Sequence, residues 1–269
     1  MTQLRTTMDI YKLLDKSNCR DCGEKACLAF AAGVFKGRRQ LSECPRLDQG
    51  IVLKYTGNTR KAQSIEEDMA DAVAALKEKI KTIDLSQAAV RVGGRFSDGR
   101  LSFRILGREF GVDSTGRFYS DIHINAWLMI PVLHYIIDGR GTPVSGKWVS
   151  FRELKDGMVR NPLFEQRCEK PLKRVADEYT GFFKDLLDIF AGRQVDNLFE
   201  SDISIVLHLL PRMPMLICYW KPDEGMDSSF HLFFDATAAD NLHIDSLYTL
   251  VAGFAHMFEK IAARHGVKE

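Results

Sequence analysis

Cys19, Cys22, Cys27 and Cys44 stand near the N-terminus with the spacing C-x2-C-x4-C-x16-C, while Cys168 and Cys218 are isolated far downstream. Thiolates are soft donors, and four of them in one short stretch make a complete ligand set for a closed zinc site or for an iron-sulfur cluster. Structural zinc commonly takes its cysteines as two C-x2-C pairs, and only Cys19 and Cys22 have that form. Cys27 instead follows Gly23-Glu24-Lys25-Ala26, where a helix should begin, and Cys44 precedes Pro45 after a helix of ordinary length. The spacing favours a loop, a helix and a closing loop around one [4Fe-4S] cubane. Zinc stays open as the alternative, and disulfide pairing as a lesser one.

The surroundings of these cysteines suit thiolates. Asn18, Asp21 and Gly23 are small or polar and let backbone amides turn toward sulfur, and such hydrogen bonds tune a cluster's potential. Cys27 at a helix N-terminus would have its thiolate favoured by the helix dipole. From Leu28 to Phe35 the chain is apolar nearly all round, as expected of a short helix packed beside a cluster.

The stretch Tyr11-Lys12-Leu13-Leu14, then Asn18 through Ala31, then Cys44-Pro45, resembles the small four-cysteine [4Fe-4S] domain at the N-terminus of corrinoid iron-sulfur protein large subunits. It is similar, too, to a domain of the B subunit of Rnf electron-transfer complexes. The resemblance covers residues 1–50, and includes the Gly after the second Cys and the Pro after the fourth. It implies Cys19, Cys22, Cys27 and Cys44 as cluster ligands, single-electron transfer at low potential, and a redox partner protein, with a corrinoid or one-carbon enzyme as the leading candidate.

A chain of 269 residues exceeds a typical single domain, so a small metal module (1–50), a linker (51–63) and a larger domain (64–269) are expected. With 45% hydrophobic residues and a net charge of +1, the composition is that of a globular chain with no electrostatic case for nucleic acid. The first ten residues lack the apolar core of a signal peptide, and no stretch approaches a membrane span. A cytoplasmic location is therefore expected, and that compartment keeps thiols reduced.

The rest of the chain must position or accompany the cysteines. Residues 46–61 have the composition of a connector, and Ser64-Ile65-Glu66-Glu67 reads as a capping box opening an amphipathic helix through Ile65, Met69, Val73, Leu76, Ile80 and Ile83. From Ala88 onward short runs divided by turns, beginning with Ala88–Val92, predict an antiparallel meander. Ser97-Asp98-Gly99-Arg100 is its clearest hairpin turn. A helix over Asn125–Asp138 follows, then a loop at 139–146. Pro171 is read as opening a helix that runs through Phe190 to Gly192. Strands are expected at Ile203–Leu210, Met215–Trp220 and Phe230–Phe234, and a final helix capped by Asp245. Strands grouped with flanking helices, without regular alternation, define an α+β class.

This larger part resembles the uncharacterised domain-of-unknown-function family 3786. The likeness rests on Trp148–Leu154, Pro171-Leu172, the Leu209–Pro214 turn, Tyr219-Trp220 and Leu232–Asp235, and covers roughly residues 65 to 265. The family implies no established activity. The chain departs from that family's acidic stretch, carrying Asp223-Glu224-Gly225-Met226-Asp227-Ser228 instead, which puts a ligand role for that loop in doubt.

Chemistry in the larger domain is sparse. No serine-histidine-acid set, P-loop or dinucleotide fingerprint is present, and Gly93-Gly94 reads as a turn. His123, His134, His208, His231 and His243 form no ligand pairs and are best read as hydrogen-bonded singly. One constellation is worth carrying forward: His208 and His231 on neighbouring strands, with Trp220 and Asp223, as a pocket floor for an enzymatic or cofactor-binding domain supplied with electrons. Cys218 reads as a small buried hydrophobe, and Cys168 as a thiol open to exposure with no base nearby to make it a nucleophile. Lys36, Arg38, Arg39 and Arg46 form a basic surface that is either a solvated face or a dock for an acidic redox partner. The sequence leaves three readings: an accessory electron-transfer protein, an enzyme with a cluster, and a zinc-stapled interaction module.

Overall fold

The computed structural model describes residues 4, 6–55, 65–121, 124–179, 181–223 and 225–265. Ser64 of the expected capping box, most of the expected linker and His123 lie outside the described residues. The chain divides into two compact units, Met1–Asp71 and Ala72–Glu269.

The first unit is built from short helices. Helix α1 (Thr7–Tyr11) starts with a reciprocal Thr6–Asp9 capping box. Helix α2 (Cys27–Phe35) follows a long loop, and a 3-10 turn at Leu41–Glu43 leads to the fourth cysteine. Helix α3 (Gln49–Tyr55) occupies residues expected in a connector. Asp48 starts it by accepting from the Gly50 and Ile51 amides at 2.8 and 3.2 Å, and Ile51, Val52 and Tyr55 pack on the unit's core. Connector-like Gly and Asp are here the start signal of a helix. Ile10, Phe30, Ala31 and Val34 centre that core.

The second unit takes in the end of α4 (Ile65–Ile80) and then α5 (Leu85–Val92). Ala88–Val92 is thus helical, contrary to the expected strand. Asp84 caps α5 through the Ser86 and Gln87 amides, and Gly93 ends it at φ +76, the left-handed C′ position glycine adopts without strain. A four-stranded antiparallel meander follows: β1 (Arg95–Ser97), β2 (Arg100–Ile105), β3 (Arg108–Asp113) and β4 (Phe118–Ser120). Asp98 and Gly99, both at positive φ, make the two-residue turn between β1 and β2 that the Asp-Gly pair demands.

Helix α6 (Ala126–Asp138), capped by Asn125, keeps Pro131 inside its span. After β5 (Trp148–Ser150) comes a helical stretch longer than expected. It begins with α7 (Gly157–Phe164), passes through a π-helical turn at Glu165–Glu169 and continues as α8 (Lys170–Glu178). Pro171 therefore stands in the first turn of α8, as expected, but α8 continues directly from the π-helical turn and is not a fresh start. Proline has no N–H for the Arg167 carbonyl, and the wider turn just before it absorbs that missing bond. The predicted single helix also breaks after Glu178, and α9 (Phe182–Asp188) begins separately.

The second sheet is antiparallel in the order β5-β9-β8-β7-β6, with β6 (Arg193–Gln194), β7 (Ile203–Leu210), β8 (Met213–Trp220) and β9 (Ser229–Asp235). Met213–Tyr219 is buried throughout because both faces are covered. One face meets the main core; on the other, Val206, Leu216 and Cys218 meet Trp148, Leu198 and Phe233. A short α10 (Ala238–Asn241) precedes the long α11 (Ile244–His265), in which Asp245, the expected cap, is instead the second helical residue. Helices packed with two antiparallel sheets make this an α+β fold, as the residue pattern implied.

Candidate metal centre

The four cysteines of the N-terminal unit sit on three kinds of backbone. Cys19 and Cys22 lie on the loop before α2 and are half-buried; Cys27 is the first residue of α2, and Cys44 ends the 3-10 turn, both buried. The loop is forced to curl, with Lys16, Asn18 and Arg20 at φ +62, +52 and +68 and Gly23 at +80. Left-handed residues at alternating positions are costly for side chains other than Gly and Asn, so such a loop persists only where its surroundings fix it.

Asn18 does much of that fixing. Its side-chain Oδ1 accepts the Cys27 amide at 2.8 Å, capping α2 where the N-cap residue Ala26 has no side-chain bond to offer. Its own backbone N–H donates to Cys27 Sγ at 3.3 Å. Asp15 is held by the Ser17 amide and hydroxyl at 3.1 and 2.9 Å and receives the Cys27 thiol at 3.9 Å.

Across the mouth, Arg46 bonds Asp21 at 3.2 Å and stands 3.8 Å from Asp15, tying the cysteine loop to the segment after Cys44. The Cys44 thiol is raised above its ordinary value, first by burial and then by the neighbouring charges of Cys22, Asp15 and Cys19. Arg46 is held charged by Asp21 first and then by Cys19. Cys27 is joined to Asp15, and Arg46 links Asp15 and Asp21 of the cysteine loop to the segment that follows Cys44. Among the described residues no group of three His, Cys, Asp or Glu side chains is set to hold a single metal ion. A cubane binds its thiolates at four separate irons, so its ligands surround it and need not meet. Four free thiols, an N–H aimed at sulfur and the buried face of α2 fit such a group. Asp15 and Arg46 escaped the sequence reading as parts of this centre, although Asp-x-Ser before the loop and Arg after Cys-Pro were the available signals.

Two of the four residues of the expected basic patch are neutralised. Arg39 pairs with Glu24 at 3.2 Å and Glu43 at 2.8 Å, and Arg46 with Asp21.

The second unit does not assemble the histidine constellation. His208 is on β7 and His231 on β9, with β8 between them, pairing opposite Pro214 and Cys218 respectively. His231 lies 3.6 Å from Glu169 and edge-on to Trp220, and Asp223 closes a separate tight turn with Met226. His208 faces a different cleft, beside Phe103 and Arg104. Cys168, read as open to exposure, is fully buried in the π-helical turn, and burial pushes its thiol up; Cys218 is fully buried as expected.

Comparison with known proteins places both units. Residues 14–46 match the family model described as "Putative Fe-S cluster", which supports an iron-sulfur cofactor at this centre. Residues 84–257, well over half of the chain, match "Domain of unknown function (DUF3786)", and the chain belongs to that family. Among curated relatives, the acetyl-CoA decarbonylase/synthase complex subunit gamma of Methanothermobacter thermautotrophicus is 35% identical over 89 residues, 33% of this chain and 16% of the relative. The corrinoid/iron-sulfur protein large subunit of Moorella thermoacetica is 48% identical over 40 residues, 15% and 9% of the two chains. A Methanocaldococcus jannaschii gamma subunit is 44% identical over 43 residues, 16% and 9%. The chain thus spans less than a fifth of the length of these relatives. No solved structure matches it. Among the described residues, no helix is long and apolar enough to cross a membrane.

Proposed function

We propose that the protein is an accessory electron-transfer protein whose N-terminal unit holds one [4Fe-4S] cluster on Cys19, Cys22, Cys27 and Cys44. The observation that carries this reading is the Asn18–Cys27 pair at the centre of a four-thiol loop, an arrangement that gives sulfur a backbone donor and the helix a cap at once. The family match and the corrinoid/iron-sulfur relative support an iron-sulfur cofactor. A bound cluster of this type supplies one-electron transfer at a potential set by hydrogen bonds, charge and burial. The chain's own contribution is to curl the loop, shield the α2 side with Phe30 and Val34, and keep Arg46 beside the thiolates.

The electron acceptor or donor is, in this reading, an anaerobic redox enzyme of corrinoid or one-carbon chemistry. The names of the relatives support that choice, and a reducing cytoplasm would keep the four thiols free. The functional division in this reading is a cluster module at 1–50, a linker at 51–63 whose first residues finish α3 and pack on the module, and a domain of unknown role at 64–269. The alternative of an enzymatic second domain loses the particular site named for it, because His208 and His231 lie two strands apart.

Anaerobic purification with iron, sulfide and zinc analysis, followed by EPR of the dithionite-reduced protein, tests the reading. Four irons and four sulfides per chain with a reduced-state signal is the expected result. One zinc per chain without sulfide in protein purified anaerobically overturns it in favour of a zinc-stapled interaction module.

A further inference from the structure

Helix α11 buries Leu247, Leu250, Val251, Phe254 and Phe258 in the main core, the expected stripe of an amphipathic helix. Its flank tells a different story. Met257 and Ile261 remain half-buried beside the start of α6, where Trp127 is 43% exposed. Together with Leu128 they border a groove of about 400 Å³. The two helices approach closely at Gly253, where a Cβ would lie 3.3 Å from that of Trp127, and this close approach forms the floor. An exposed tryptophan over an apolar cleft of this size is unusual on a surface with nothing to bind.

The rim is cationic. Lys260 and Arg264 line the same groove four residues apart, on one edge of α11. His256 is engaged with Glu259 at 3.7 Å, but neither Lys260 nor Arg264 has a carboxylate partner among the described residues. The helix dipole favours cations in a last turn. It does not account for their standing over an apolar floor, next to an indole that water only half wets.

We infer that this groove of the second unit binds a small anion with an apolar body, a carboxylate on an aliphatic or aromatic group. The body lies along Trp127, Met257 and Ile261, and the charged head meets Lys260 and Arg264. Charge-assisted bonds of this kind select the ionised head, while the floor selects the hydrocarbon. This inference is independent of the metal centre, which plays no part in it.

The test uses octanoate and octan-1-ol as probes of the full-length protein, read by tryptophan fluorescence and by calorimetry. Octanoate is expected to shift the emission saturably and to bind about tenfold more tightly than the alcohol of equal chain length, the factor of one good charged contact. The double variant Lys260→Gln, Arg264→Gln changes exposed positions only and should bind acid and alcohol alike. Trp127→Phe should remove the emission change while calorimetry still shows binding, assigning the signal to this groove and not to Trp148 or Trp220. Equal affinity for acid and alcohol in the native protein, an unchanged preference in the double variant, or no saturable binding of octanoate would each overturn the inference. So would binding of an acidic amphipathic helical peptide in a protein that ignores octanoate, which would make the groove a protein dock.

Discussion

Asn18 and Cys27 hold each other from both ends: the asparagine carbonyl oxygen receives the cysteine amide at 2.8 Å, and the asparagine amide points at the cysteine sulfur at 3.3 Å. One residue therefore starts helix α2 and supplies a donor to a candidate ligand. It does so from φ +52, where asparagine is better tolerated than most side chains.

Asn18→Ala keeps the donor to sulfur but removes the cap and the local tolerance. The loss should cost about 1 kcal/mol for the cap and roughly another for the backbone. Anaerobically reconstituted Asn18→Ala is expected to hold less iron and to lose it faster to a chelator. Iron retention equal to the native protein's would show that the Asn18–Cys27 pair does not organise the centre.

The six cysteines should fall into two reactivity classes. Thiolate is the nucleophile, and burial holds Cys168 and Cys218 in the thiol form, while Cys19 and Cys22 are half-open to solvent. In metal-free, reduced protein, iodoacetamide should modify Cys19 and Cys22 first and leave Cys168 and Cys218 untouched until denaturant is added. Peptide mass spectrometry reads this directly, and early labelling of Cys168 would contradict its burial. Serine at any of the four N-terminal positions should lower the visible absorbance of the anaerobic protein, whereas Cys168→Ala and Cys218→Ala should not.

Asp113 ties the β3–β4 turn together. Burial alone would raise its carboxyl, but bonds from the Thr115 hydroxyl, the Arg117 and Thr115 amides and the Tyr119 hydroxyl outweigh it and hold the group at about 2. A carboxylate lowered by folding contributes stability that is present above its unfolded value of about 3.9 and is lost as pH falls through the folded value. The contribution should therefore fade between about pH 4 and pH 2. Asp113→Asn should melt below the native protein at pH 6, with the gap closing by pH 2. A gap that is constant over that range would assign the effect to something other than ionisation.

Tyr135 carries a buried hydroxyl between two backbone groups, donating to the Val92 carbonyl at 2.7 Å and accepting the Arg212 amide at 3.2 Å. It thereby joins the end of α5 to the β7–β8 turn, and burial raises it to about 12. Tyr135→Phe keeps the ring and strands both partners, at a cost of about 1–3 kcal/mol. Urea unfolding should show a lowered midpoint with unchanged slope. A change below about 0.5 kcal/mol would mean that water replaces the hydroxyl.

The sequence revealed most where one residue type has one use. Asp98-Gly99 in a hairpin and the runs that became β7, β8 and β9 stand where their chemistry placed them. Errors arose where one residue serves two signals. Pro171 reads as a helix start and does stand in the first turn of α8, but α7 and a π-helical turn run into it unannounced by any local pattern. Val90 and Val92 suggested a strand, although Asp84 and Gly93 bracket them as the two caps of a helix. His208 and His231 seemed neighbours, because strand order within a sheet is not written in any local pattern; β8 separates them. Asp15 and Arg46 meet the cysteines only in three dimensions.

Removing the metal should affect the two units unequally. The first unit has a small core, in which Ile10, Phe30, Ala31 and Val34 are joined by Cys27 and Cys44 themselves, so two of its buried groups are candidate ligands. Units this small seldom fold on so little apolar burial without a staple. The second unit has an extensive core running through both sheets and α11 and includes none of the four cysteines. Hydrogen exchange before and after oxidation and chelation should therefore show α2 and the 12–26 loop losing protection, while α5, β8 and α11 keep theirs. Protection of α2 that survives complete loss of iron would mean that the fold precedes the metal and that the cysteines are held by Asn18, Asp15 and Arg46 alone.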